Sequence, residues 1–155
     1  MPKIRHILIA VDGSEASTQA ARKAVAFAHS IGARVTAIHV IPKFHEFTFR
    51  AQALLSYRSV LARDTRTEYN ATTARCARAI LHAVEADAAA RGVRCDALFL
   101  RGDQPYAAII SAARRRKCDL ISMGSHGWGG VEGVLLGSES HKVLVHSPLP
   151  VLVWR

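Results

Sequence analysis

Five short apolar runs separated by segments of helical period leave this chain few ways to fold. The runs cover residues 4–11, 35–41, 96–100, 119–123 and 151–154, each about the length of a strand. After the first, Ala21, Ala24, Val25, Ala28 and Ile31 recur at helical spacing with Arg22 and Lys23 on another face, which predicts a helix from residue 14 or 15 to 31, stopped by Gly32. A second, long helix is expected with Tyr69, Thr73, Cys76, Ile80, Ala83, Val84 and Asp87 along one stripe, ending at Gly92. A third starts at Gln104 and Pro105, capped by Asp103, and runs to about Lys117; a fourth runs from Ser138, as N-cap, to about His146. Strands alternating this regularly with helices predict an open parallel α/β sheet with right-handed crossovers, its first strand apolar on both faces. Residues 42–58 show no period, and Phe44, Phe47, Phe49 and Tyr57 concentrate there, so packing over the sheet is the expectation.

A chain of 155 residues, half of them apolar, is one domain's worth of core. No apolar run reaches the length of a membrane span, and the run at 4–11 is too short for a signal peptide, so a cytoplasmic protein is expected. Cys76, Cys95 and Cys118 are odd in number and lack a CxxC pair, and the histidines form no HxxxH or HExxH, so neither disulfides nor a metal site are expected. The net charge of +9 favours anionic partners without choosing among them. The basic block 114–117 closes a helix, where cations offset the dipole, and no aromatic residues interleave with it; nucleic acid is not the expected partner.

Function is expected in the stretch 119–138, DLISMGSHGWGGVEGVLLGS. Glycines at 124, 127, 129 and 130 break any regular pattern after a strand, and a helix start follows at Gly137 and Ser138. Exposed amides delivered to a helix N-terminus suit a phosphate, since unpaired N–H groups and the helix dipole both attract anions. Other chemistry finds little support. No G-x-S-x-G elbow is present, so Ser125 beside His126, or Ser138 with His126 and Asp12, makes a triad only on paper. No G-x4-G-K-[ST] loop occurs either, so rapid ATP turnover is not expected, while slow hydrolysis stays open.

Gly124, Gly127, Gly137 and Ser138 fit G-x2-G-x9-G-[ST], and with HILIAVDGSE near the start and SPLPVLVWR at the end the whole chain resembles the ATP-binding subgroup of the universal stress protein family. The resemblance implies a five-stranded parallel sheet of order 3-2-1-4-5, helices on both faces, Rossmann-like and similar to the adenine nucleotide α-hydrolase group. In that order the winding reverses between strands one and four, and ligands of doubly wound sheets sit beyond the strand ends at such a point. There Asp12 would offer a carboxylate to sugar hydroxyls and Ala10, Val40 and Met123 an apolar wall to a base. The resemblance sets Asp12 and Val40 beside adenosine, and Gly124, His126, Gly127, Gly137 and Ser138 around ribose and phosphates, with Ser140 a further hydroxyl nearby. Asp12 also suits a turn or N-cap role, and the two are compatible.

Two positions depart from the family pattern. Trp128 stands where Arg or Lys is common, and Glu139 where a small apolar residue usually follows the Gly-Ser pair. A carboxylate there would repel phosphates, or would point outward and stabilise the first helical turn. Trp128 would stack on a ligand or cover the loop. The expected ligand is ATP, with Mg²⁺ as a counter-ion that no carboxylate cluster specifies, and the alternatives are an interaction module of the same fold that binds no ATP and a slow ATPase or nucleotidyl-transfer enzyme. The strand Val151–Trp154 would pair with its copy in a homodimer.

Overall fold

The computed structural model describes residues 3–45, 62–126 and 136–155, with side chains from residue 66 onward in the long helix. In chain order the elements are β1 (His6–Ala10), α1 (Glu15–Ile31), β2 (Arg34–Ile41), α2 (Ala62–Ala90), β3 (Cys95–Arg101), α3 (Pro105–Arg115), β4 (Leu120–Gly124), α4 (Ser138–His146) and β5 (Val151–Trp154). The strands form one sheet of order β3-β2-β1-β4-β5, and every neighbouring pair is parallel. Successive strand residues point to opposite faces, so Ile7 and Ile9 meet Ala24, Val25 and Ala28 of α1 and Leu81, Val84 and Ala88 of α2. Leu8, Ile38, Ile121 and Met123 instead pack on Ile109, Ala112 and Ala113 of α3 and Val143 of α4. Burying large aliphatic groups on both faces explains why the 4–11 stretch around β1 reads as a nearly continuous apolar run, while β4 is interrupted only by Ser122.

The local signals act as their chemistry requires. Ser14 caps α1, its Oγ accepting from the Ser17 N–H at 3.2 Å, and Gly32 ends the helix at φ 68°, where its N–H reaches the Ala28 and His29 carbonyls. The edge strand β5 is held from inside: Trp154 Nε1 donates to Ser122 Oγ at 2.8 Å, and its ring meets Phe27 edge-on at 6.4 Å. No helix among the described residues is long and apolar enough to cross a membrane.

Four expectations about local structure are corrected. The inward face of α2 is carried by Ala74, Ala77, Leu81, Val84 and Ala88, leaving Cys76 exposed, because alanines occur on every side of this helix and blur its period. Asp103 does not cap α3: Gln104 is the N-cap and gives no side-chain bond. The Asp103 carboxylate accepts from the Lys43 N–H at 3.1 Å and pairs with His45 at 2.9 Å, and the His45 bond holds its carboxyl below the usual range. The third helix stops at Arg115, with Arg116 as C-cap and Lys117 in the left-handed region at φ 54°, which lets the Cys118 N–H close on the Ala113 carbonyl at 2.9 Å. Finally, the N-cap of α4 is Gly137, and Ser138 is its first helical residue. Of the aromatic group at 42–58, Phe44 meets the Tyr69 ring at a tilt of 53° and 5.4 Å, while Phe47, Phe49 and Tyr57 lie outside the described residues.

Candidate functional site

Because all strands are parallel, the carboxyl ends of β1, β2 and β4 open on one edge of the sheet, and the winding reverses between β1 and β4. Ala10 and Val40 are half-buried at the ends of β1 and β2, and Met123 is buried near the end of β4; all three belong to the apolar layer beneath α3 and α4. The ends of β1 and β2 are locked together, since the Val11 N–H donates to the Ile38 carbonyl and His39 Nδ1 lies 2.8 Å from the Val11 carbonyl.

Asp12 makes the turn out of β1. Its Oδ1 accepts from the Ser14 N–H at 2.9 Å, and its own N–H donates to Ser17 Oγ at 3.0 Å. Gly13 completes the turn at φ 86°, and a Cβ there would lie 2.7 Å from Ile80 Cδ1, so α2 closes directly over it.

A second connection at this edge, the strap, leaves β4 and returns at α4. Both ends are tied: the Gly137 N–H donates to the Ser125 carbonyl at 2.6 Å, and Ser140 Oγ donates to the Gly124 carbonyl at 2.8 Å. The Ser125 N–H in turn donates to the Trp154 carbonyl at 2.8 Å, which fixes the start of the loop to β5. Gly124 is buried, and a Cβ on it would press on the His126 carbonyl at 3.3 Å and on Ala20 at 3.4 Å. His126 places Nδ1 at 3.1 Å from Ser125 Oγ, whereas its Nε2 is buried with no hydrogen-bond partner. Ser138 is exposed at the start of α4. Gly127 and Trp128 lie outside the described residues.

Glu139 turns away from the strap. One carboxylate oxygen accepts from the Tyr106 N–H at 2.9 Å and the other pairs with Lys142 Nζ at 2.9 Å. A residue of α4 thereby satisfies an N–H in the first turn of α3, which its own N-cap leaves unbonded by any side chain. Ser140 is likewise engaged: buried to 4% exposure, its hydroxyl hydrogen points at Gly124.

The carboxyl edge of the sheet therefore carries Ala10, Asp12, Val40, Met123, Gly124 and His126, and the bonds to Gly124 and Ser125 hold the start of α4, with Gly137, Ser138 and Ser140, beside the end of β4. Among the described residues no group of three or more His, Cys, Asp or Glu is placed to hold a metal. Sequence reasoning passed over His39 and the backbone role of Ser125. His39 was signalled by a lone polar side chain inside the apolar run AIHVI.

A family model described as the universal stress protein family matches residues 3–155. A universal stress protein of Thermus aquaticus, encoded in the 3′ region of a QAH/OAS sulfhydrylase, is 38% identical over 153 residues, covering 96% of this chain and 97% of its own. A universal stress protein solved in complex with cAMP superposes with a TM-score of 0.65 at 21% identity, over 99% of this chain and 98% of that one. One from Archaeoglobus fulgidus in complex with dAMP superposes with a TM-score of 0.64 at 18% identity, over 100% of both chains.

Proposed function

The chain belongs to the universal stress protein family, and from that premise we propose that it binds ATP at the switch point between β1 and β4, as a cytoplasmic protein whose nucleotide occupancy tunes its conformation or its choice of partner. The observation that carries this reading is the tied strap: Gly124 and Ser125 are bonded to Ser140 and Gly137, so the start of α4 is held against the end of β4. On this reading its first N–H groups and the helix dipole would stabilise a phosphate at that strand end. His126 Nε2, buried and without a partner, suits a phosphate or ribose oxygen. Asp12 would take ribose hydroxyls through a carboxylate already oriented by its turn, and Ala10, Val40 and Met123 would lie against adenine. Gly127 and Ser138 would complete the phosphate cradle.

The engagement of Glu139 with α3 favours this reading over a module of the same fold that takes no nucleotide, because the carboxylate that would repel phosphates is committed elsewhere. That two solved proteins of like fold hold adenine nucleotides is in keeping with it. Mg²⁺, if it accompanies the phosphates, would draw its ligands from them and from water. The chain carries no G-x4-G-K-[ST] loop, so the reading is of a binder first, with slow hydrolysis as the alternative activity at the same site. Thermal unfolding with and without ATP tests the reading. Wild-type protein should gain stability with ATP, and Asp12→Ala or Gly127→Val should lose that gain; both variants responding like wild type would refute the site.

A further inference from the structure

At the opposite edge of the sheet, where the strands begin, the fold gathers cations that are far apart in sequence. Arg5 precedes β1, Arg34 opens β2, Arg94 precedes β3, and Arg114, Arg116 and Lys117 close α3 just ahead of β4; all six are exposed. Backbone bonds set their segments side by side: the Arg34 N–H donates to the Arg5 carbonyl at 2.9 Å, the Val35 N–H to the Arg94 carbonyl at 2.8 Å, and the Asp119 N–H to the His6 carbonyl at 2.8 Å. The row thus crosses the adjacent strands β3, β2, β1 and β4, a width of about 14 Å at roughly 4.8 Å per strand.

These six cations outnumber the carboxylates among them, Asp96 and Asp119. None of the six is ion-paired with a described carboxylate. Asp96 and Asp119 are the carboxylates at the strand starts, and Asp119 accepts the N–H groups of Arg5 at 2.8 Å and His6 at 2.9 Å through one oxygen. Offsetting the dipole of α3 accounts for Arg114, but Arg5, Arg34 and Arg94 belong to no helix's last turn.

We propose that this basic edge binds the phosphate backbone of a double-stranded nucleic acid without reading its bases. One strand of a duplex carries a phosphate every 3.4 Å of axis, so about four phosphates face a 14 Å row. The large exposed apolar side chains among the described residues, Leu144 and Val145, belong to α4 and not to this row, and no aromatic side chain interrupts it. Base stacking and insertion into lipid both need such groups, whereas backbone contact needs only Arg and Lys. Read along the chain, the block 114–117 merely closes a helix; the sheet adds the three strand-start arginines.

Fluorescence anisotropy of a short labelled DNA duplex tests the proposal on the full chain. Wild type should bind with a Kd between roughly 10⁻⁴ and 10⁻⁶ M, with log K falling against log salt at a slope of about −3.6, the value for four phosphate contacts. Arg34→Glu combined with Arg116→Glu should weaken binding about tenfold or more, while Arg22→Glu with Arg75→Glu, an equal change of charge on α1 and α2 away from the strand starts, should change it less than about twofold. Arg34→Gln with Arg116→Gln, checked for native circular dichroism, should also weaken it, which separates lost contacts from misfolding. Equal loss in the two glutamate pairs, no binding by wild type at about 50 mM salt, or saturation of phosphatidylserine vesicles but not of duplex would each overturn the proposal. Stabilisation by ATP reports the other edge of the sheet and is read separately.

Discussion

Removing the Glu139 carboxylate separates two roles for the residue that follows the Gly-Ser pair at the start of α4. In the structure it serves α3: its Oε2 accepts from the Tyr106 N–H at 2.9 Å, in a first turn whose N-cap, Gln104, supplies no side-chain bond. Loss of a helix cap costs about 0.5–2 kcal/mol, and the charged acceptor favours the upper half of that range. Partial exposure, 36% for the side chain, pulls it back, and the Lys142 pair adds only about 0.3–0.5 kcal/mol. Glu139→Ala should therefore destabilise the protein by about 1.5 kcal/mol, or about 5 °C in Tm for a chain of this length. Glu139→Gln keeps an acceptor and should cost only about 0.5 kcal/mol. Urea unfolding with a constant m value measures both, and ATP affinity should stay within about twofold of wild type in the Gln variant. The reasoning fails if Glu139→Ala leaves the urea midpoint unchanged and tightens ATP severalfold, because the carboxylate would then have been facing phosphates.

His6 is buried with Nε2 at 2.8 Å from Thr36 Oγ1, and burial, followed by the nearby Arg34, lowers its pKa. A lowered histidine pKa means that the unfolded chain binds more protons, so its contribution is full above about pH 6.5 and is lost as pH falls below that; urea midpoints should drop on acidification, less so in His6→Gln. Burial pushes the Cys95 and Cys118 thiols up to about 11, while Cys76 is exposed, so iodoacetamide at about pH 8 should modify one site per native chain, read by mass spectrometry as Cys76. If β5 pairs with its copy, light scattering should give twice the chain mass, and Val153→Pro on that edge should return it to one; a wild-type monomer at micromolar concentration would count against the dimer.

Element identities were legible because each rested on local chemistry: Ser14 and Gly32 bound α1, and the apolar runs that became β1 and β4 are too short for anything but buried strands. What escaped depends on partners distant in sequence. Asp103 has the residue type of a cap, yet Lys43 and His45, which arrive from the end of β2, take its carboxylate, and Glu139 from α4 supplies α3 instead. Ser138 looked like an N-cap, but the bond from the Gly137 N–H to Ser125 draws the chain into the helix one residue earlier. The face of α2 slipped because Ala74, Ala77 and Ala88 are inside while Ala83, Ala86 and Ala89 are outside, and methyl groups alone carry no contrast. The glycine spacing pointed to the strap; the hydrogen bonds that close its two ends, through Ser125 and Ser140, are a property of the fold.

Calorimetric titration with ATP is the most direct test of a nucleotide at the switch point. Saturable binding of about one ATP per wild-type chain, with no measurable heat from an Asp12→Ala variant of unchanged circular dichroism, is the predicted outcome. A wild-type chain that takes up no ATP, or an Asp12→Ala variant that takes it up as tightly as wild type, would contradict it.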